Sequence, residues 1–232
     1  MKLARLALAA VLCCVPFAAA AESLSSNSPN TLPLATPASK VVHFDIAGDD
    51  YAAPIPEGYC DLPETMSWLI ALQKTMAQQA QIKLGADWIE CSYRAGHAGP
   101  IKFAVIGANP AGEKLAMSRK QFLAEIAQSM SHMANAPVTT LRKEGLAPNS
   151  SRVDINDRYE YSDDSATYIV VNSSVVKDGM TINQATAAAF TLVKGRAAAV
   201  MFVILGGSPD DDAHLLTAAK VEAAQFVHAN EP

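Results

Sequence analysis

Residues 187–226 read AAAFTLVKGRAAAVMFVILGGSPDDDAHLLTAAKVEAAQF, and this stretch decides the architecture. Two strand-like runs, Ala185–Lys194 and Ala197–Leu205, meet at Lys194-Gly195-Arg196, where a glycine supplies tight-turn chemistry. The second run is apolar at every position, so both of its faces must be covered. Ser208 then offers an N-cap, Pro209 suits the first helical position, and Asp210, Asp211 and Asp212 complement the helix dipole. Leu215, Leu216, Ala219, Ala223, Phe226 and Val227 fall on one face of the helix that follows. An antiparallel sheet with a strand buried on both sides needs helices above and below. The expected fold class is therefore α+β, an antiparallel sheet covered by helices on both faces, an α/β/α sandwich.

Two further strands, Val153–Tyr161 and Thr167–Val176, precede this hairpin, and Ser162-Asp163-Asp164-Ser165 and Lys177-Asp178-Gly179 act as turns. Upstream, Ser118 and Gln121 have capping-box spacing and open a helix with Phe122, Leu123, Ile126, Met130 and Met133 on its buried stripe. The irregular stretch 137–151 follows that helix. WIECSY and IKFAVI, near 87–94 and 100–107, read as strands joined through Gly96–Pro100. A first helix is expected over Pro63–Leu84, capped by Asp61 with Glu64, carrying Trp68, Leu69, Leu72, Met76 and Ala80 on one face and stopped by Gly85. Order begins with the alternating strand VVHFDI, which puts Val42, Phe44 and Ile46 on one side. Pro54, Pro56 and Gly58 then mark a turn-rich crossing.

The N-terminus sets the compartment. Lys2 and Arg5 precede the apolar run Leu6–Val15, Pro16 breaks it, and Ala18–Ala21 supply small residues for cleavage after Ala20 or Ala21. Residues 1–21 therefore read as a cleavable signal peptide rather than a membrane anchor, which needs roughly 20 apolar residues. Cys13 and Cys14 lack the preceding small residue that lipidation requires. Residues 22–40, rich in Ser, Asn, Thr and Pro, read as a flexible linker, leaving 41–230 as one globular domain. Loss of Lys2 and Arg5 takes the net charge from −5 to −7. An acidic surface without a basic stripe speaks against nucleic acid and against docking on anionic lipid. No later segment is long and apolar enough to span a bilayer.

Cys60 and Cys91 remain after processing, and in an oxidising compartment such a pair reads as a structural disulfide. Closing a loop of that length stabilises by about 3–4 kcal/mol in the chain-entropy model. Two inert thiols, or a nucleophilic Cys60, are the alternatives; a nucleophile needs a base beside it, and no sequence-local one is visible. The remaining candidates have plainer readings. Met130 and Met133 resemble a soft-metal pair but are spaced as core filler. Asp210–Asp212 are consecutive, unlike the spread ligands of a calcium loop. His43, His97, His132, His214 and His228 stand apart from one another. Asp49, Asp50, Asp163 and Asp164 sit beside turn signals. Asn149 and Asn172 head glycosylation sequons, but Asn172 lies inside an expected strand. No phosphate loop, nucleophile elbow or H-E-x-x-H motif is present. No cofactor or metal is expected, and no residue set marks a catalytic site.

The C-terminal hairpin and helix, with the leading strand and the crossing IPEGYC at 55–60, resemble the Mog1/PsbP-like α/β/α sandwich family. The resemblance covers roughly residues 41–229 as an order of elements, and its close match is confined to the last 45 or so. The extra helix-and-hairpin stretch and the cysteine pair lie outside it. The resemblance implies a non-enzymatic accessory to a larger assembly. The functional expectation is an exported, soluble binding or accessory domain of the cell envelope, periplasmic or secreted, whose partner is another envelope protein. The alternatives are a periplasmic hydrolase-type enzyme, which a deep pocket holding His43 would favour, and a secreted or neutralising protein partner.

Overall fold

All ten residues of the strand Arg196–Leu205 are buried in the computed structural model. The structure describes residues 40–79, 82–95, 99–110, 114–134, 152–177, 180–207 and 212–231. In chain order the elements are β1 (Val41–Ile46), β2 (Asp49–Pro54), β3 (Tyr59–Asp61), α1 (Ser67–Gln79), β4 (Lys83–Glu90) and α2 (Cys91–Arg94). They continue with β5 (Ile101–Ala108), α3 (Arg119–Ala134), β6 (Arg152–Ser162), β7 (Thr167–Lys177), β8 (Met180–Val193), β9 (Arg196–Leu205) and α4 (Asp212–Asn230). Seven strands form one antiparallel sheet in the order β3-β4-β5-β9-β8-β7-β6, while β1 and β2 pair separately.

β9 lies at the centre, and its alternation divides the protein into two cores. Ala197, Ala199, Met201, Val203 and Leu205 face Leu69, Leu72 and Met76 of α1 and Phe122, Ile126 and Met130 of α3. Ala198, Val200, Phe202 and Ile204 face the other way, toward Leu215, Ala219, Ala223 and Phe226 of α4 and Ile46, Tyr51 and Ala53 of the β1–β2 hairpin. The expected α+β sandwich, with helices on both faces, is what forms. Alanine dominates beneath α4, with Ala185, Ala187, Ala189 and Ala198 all buried there. Such small side chains let helix and sheet approach closely.

Local chemistry explains the turns. Lys194 and Gly195 both have positive φ, 52° and 76°, and join β8 to β9 as a two-residue turn of the primed type. Ser118 and Gln121 form the expected capping box: the Ser118 N–H donates to the Gln121 side-chain Oε1 at 2.9 Å, and the Gln121 N–H donates to the Ser118 hydroxyl at 3.3 Å. Asp163 accepts the N–H groups of Ser165 and Ala166 at 2.8 and 3.0 Å, which holds the β6–β7 turn.

Several boundaries differ from the sequence reading. The helix expected over Pro63–Leu84 spans only Ser67–Gln79. Asp61 pairs with Trp88 in β3 and so cannot cap it. The Ile82 N–H closes the helix end on the Ala77 carbonyl, and Lys83, Leu84 and Gly85 belong to β4. The strand expected near 87–94 stops at Glu90, where the chain turns into the short helix Cys91–Arg94, closed by the Ala95 N–H on the Cys91 carbonyl at 3.0 Å. The crossing after Ile46 contains β2, paired to β1 through the turn Ala47-Gly48. The signal and linker readings for 1–39, the irregular stretch 137–151, the sequon at Asn149, His97, the cap at Ser208–Asp211 and the turn glycine Gly179 lie outside the described residues, as do the His132 and Met133 side chains.

Candidate functional site

The β1–β2 hairpin forms a sheet of its own, with no strand pairing to the seven-stranded sheet among the described residues, so side chains must seat it. Phe44 lies flat over Gly85 in β4, at the bulge between Leu84 and Ala86; a Cβ on Gly85 would stand 2.1 Å from the ring. Phe44 also stacks on Tyr51 and Phe226, with centroids 5.6 and 6.4 Å apart. Asn230 mimics a neighbouring strand. Its Oδ1 accepts the Ala52 N–H at 2.9 Å and its Nδ2 donates to the Ala52 carbonyl at 2.7 Å. β2 thereby acquires a partner for its outer edge.

The hairpin tip meets the β8–β9 turn in a polar junction. The two oxygens of Asp49 take Lys114 Nζ at 2.7 Å and Arg196 Nε at 2.8 Å. Those two hydrogen bonds, Lys114 first, hold the Asp49 carboxyl below its ordinary range. Lys194 Nζ donates to the Asp50 carbonyl, and the Lys194 N–H donates to Glu231 at 2.6 Å. Glu231 also pairs with Arg119, whose Nε reaches the Leu192 carbonyl at 3.0 Å. Burial, with Asp49 nearby, pushes the Tyr51 hydroxyl up to about 12. Every acid and base in this junction is spent on holding the hairpin, α3 and the C-terminus to one turn. Sequence reasoning missed it because Asp49 and Arg196 are 147 residues apart.

Cys60 and Cys91 are disulfide-bonded, with Cα atoms 5.1 Å apart. Cys60 lies in β3 opposite Ile89, and Cys91 is the first residue of α2. The bond joins the short edge strand to the end of β4. His43 sits on the exposed face of β1, 3.4 Å from Asp50, with its side chain 64% exposed. It does not line the apolar recess beneath α3. Among the described residues a recess lined by Ile82, Phe122, Ile126, Phe190 and Ala197–Ala199 has room only for a water-sized group, whereas small-molecule sites hold roughly 300 Å³ or more. Asn172 is buried in β7.

Two buried polar side chains are conspicuous. Gln73, on the inner face of α1, has neither amide atom hydrogen-bonded. Glu222 of α4 is 2% exposed, its Oε1 has no hydrogen-bond partner, and burial alone raises its carboxyl to about 8. The outward side of α4 is unlike the acidic surface elsewhere. His214, Thr217, Val221, Ala224, Gln225 and His228 are exposed there. Beside this strip, Tyr161 is 48% exposed and Val221 52% exposed. Lys220 Nζ lies 3.7 Å from the centroid of the Tyr161 ring.

No family model matches the chain, and no curated protein matches it in sequence. Eleven solved chains match it in shape. LpqN, involved in cell envelope biogenesis of Mycobacterium tuberculosis, is 14% identical, with 75% of this chain and 79% of that chain covered at a TM-score of 0.35. Cyanobacterial PsbP (CyanoP) from Synechocystis sp. PCC 6803 is 10% identical, with 84% and 96% covered, also at 0.35. At this TM-score the likeness is coarse, and the architecture rests on the chain's own strand order.

Proposed function

We propose that the chain is an exported accessory domain of the cell envelope that acts by binding another envelope protein. The observation that carries this reading is the Cys60–Cys91 bond. Disulfides persist in oxidising compartments and are rare in the cytosol. It agrees with an N-terminus composed as a signal peptide and a polar linker ahead of residue 41. The mature chain is periplasmic or secreted. The uncharged strip on α4, with Tyr161 beside it, is the surface that best suits a protein partner, since interface cores are poor in charge and rich in aromatic residues.

Two measurements test the proposal together. Residues 1–40 fused to a reporter that is active only after export should give activity, and a mutation of the Ala18–Ala21 site should block processing. A photo-crosslinking side chain at Tyr161 or Val221 in cells should give a discrete protein adduct. An inactive reporter, or no discrete adduct from either position, contradicts the reading.

A further inference from the structure

α4 is fastened unevenly. Among the described residues its polar pins lie at the C-terminal end: Asn230 on Ala52, and Glu231 on Lys194 and Arg119. From residue 213 to Glu222 the helix is held by Leu215 and Ala219, with Leu216 and Ala218 partly buried, on a sheet face to which β8 gives Ala185, Ala187 and Ala189 and β9 gives Ala198, Val200, Phe202 and Ile204. Lys220 contributes a cation over Tyr161 and, at 6.0 Å, over Tyr168. The β8 alanines bury little area per residue, so this half of the helix has smaller apolar contacts than the other, where Phe226 stacks on Phe44 and Tyr51. Glu222 stands at the boundary between the two halves, pointing inward.

The charged and titratable groups on the elements packed against α4 do not compensate it. From β2 these are Asp49, Asp50 and Tyr51; from β7 and its turn, Asp163 and Tyr168; from β8, its turn and β9, Lys194 and Arg196. Asp49 holds Arg196, and Glu231 and the Asp50 carbonyl hold Lys194. Asp163 accepts from its own turn. Tyr51 and Tyr168 are uncharged phenols whose ionisation burial opposes. On α4 itself, Lys220 is over the tyrosine rings, and His214 and His228 are on the exposed side. Among the described residues no charge offsets the burial of Glu222 and its Oε1 has no hydrogen-bond partner, so an ionised carboxylate there must draw its solvation from water.

We propose that Glu222 makes the seating of α4 proton-dependent: protonated, it lets the helix lie closed on the sheet, and ionised, it lifts the N-terminal half while the Asn230–Glu231 end stays pinned. The proton leaves to solvent, and the carboxylate gains water in the lifted form. Lifting exposes the apolar face of β8 and β9 without disturbing the ladder of the sheet.

The test is hydrogen exchange of the full mature chain, disulfide intact, at pH 6 and pH 9, with rates normalised for intrinsic exchange. Protection of amides 216–222 should fall on the order of a hundredfold, the change expected when a carboxyl titrates near 8 closed and near its ordinary value open. Amides of β7 and β8 should keep their protection. Glu222→Gln and Glu222→Met should abolish the difference between the two pH values. Unchanged α4 protection at pH 9, equal loss in either variant, or equal loss across the whole sheet overturns the proposal.

Discussion

Gly85→Ala tests how the β1–β2 hairpin is seated. The new Cβ would stand 2.1 Å from Phe44 Cε2 and 2.2 Å from Cδ2. Carbon atoms settle at about 3.5–4.0 Å, so the ring must retreat by roughly 1.5 Å. Retreat breaks its stacks on Tyr51 at 5.6 Å and Phe226 at 6.4 Å. Two aromatic pairs are worth about 0.5–1.5 kcal/mol each, and part of the burial of a phenylalanine, about 1.5–3 kcal/mol in full, goes with them. A loss of about 2–4 kcal/mol follows, measurable by urea unfolding followed through tryptophan fluorescence. The decisive comparison is a double-mutant cycle. With Phe44→Ala in place the obstacle is gone, and Gly85→Ala should then cost less than about 0.5 kcal/mol, since alanine suits a strand better than glycine. Additive effects, or a small cost in the wild-type background, would refute the account of the docked hairpin.

Three other perturbations have defined outcomes. Asn230→Ala removes both bonds to Ala52 and one to the Phe226 carbonyl, and leaves a part-buried N–H without its partner; unfolding should cost about 2–3 kcal/mol less denaturant work than in the parent. Gln73→Met replaces a buried amide whose two polar atoms are unpaired by an apolar chain of similar length, so thermal and urea denaturation should show a gain of about 1 kcal/mol, and a clear loss would mean the amide is satisfied by water. Glu222 sets a pH slope. Its folded carboxyl titrates near 8 against 4.5 ordinarily, so the native state keeps a proton that the unfolded chain releases. Stability is greatest below the ordinary value and falls as pH rises to about 8, by roughly 3 kcal/mol at pH 7; Glu222→Gln should flatten that slope in urea titrations.

The strands of the main sheet were legible because their signals are local. Ala197–Leu205 is apolar throughout, and Lys194-Gly195 can only be a tight turn. The capping box at Ser118 and Gln121 lies within four residues of chain. The misread parts depend on distant partners. Asp61 and Glu64 have the spacing of a cap, but Asp61 is claimed by Trp88 in a strand pair. Gly85 reads as a helix stop, yet it is there because Phe44, forty-one positions earlier, needs a residue without a Cβ. β2 has two charged residues and a proline, with few apolar side chains to announce a strand; Asn230 and Asp49 give it an edge and an anchor. The polar junction and the burial of Glu222 share that origin, since no periodicity marks a carboxylate that tertiary packing turns inward.

The most direct test of export is non-reducing mass spectrometry of the protein recovered from the periplasmic fraction or culture fluid. The account predicts a chain beginning at Ala21 or Glu22 and a linked peptide pair joining Cys60 to Cys91. A chain that keeps residues 1–21, found in the cytoplasm with both thiols free, would contradict it.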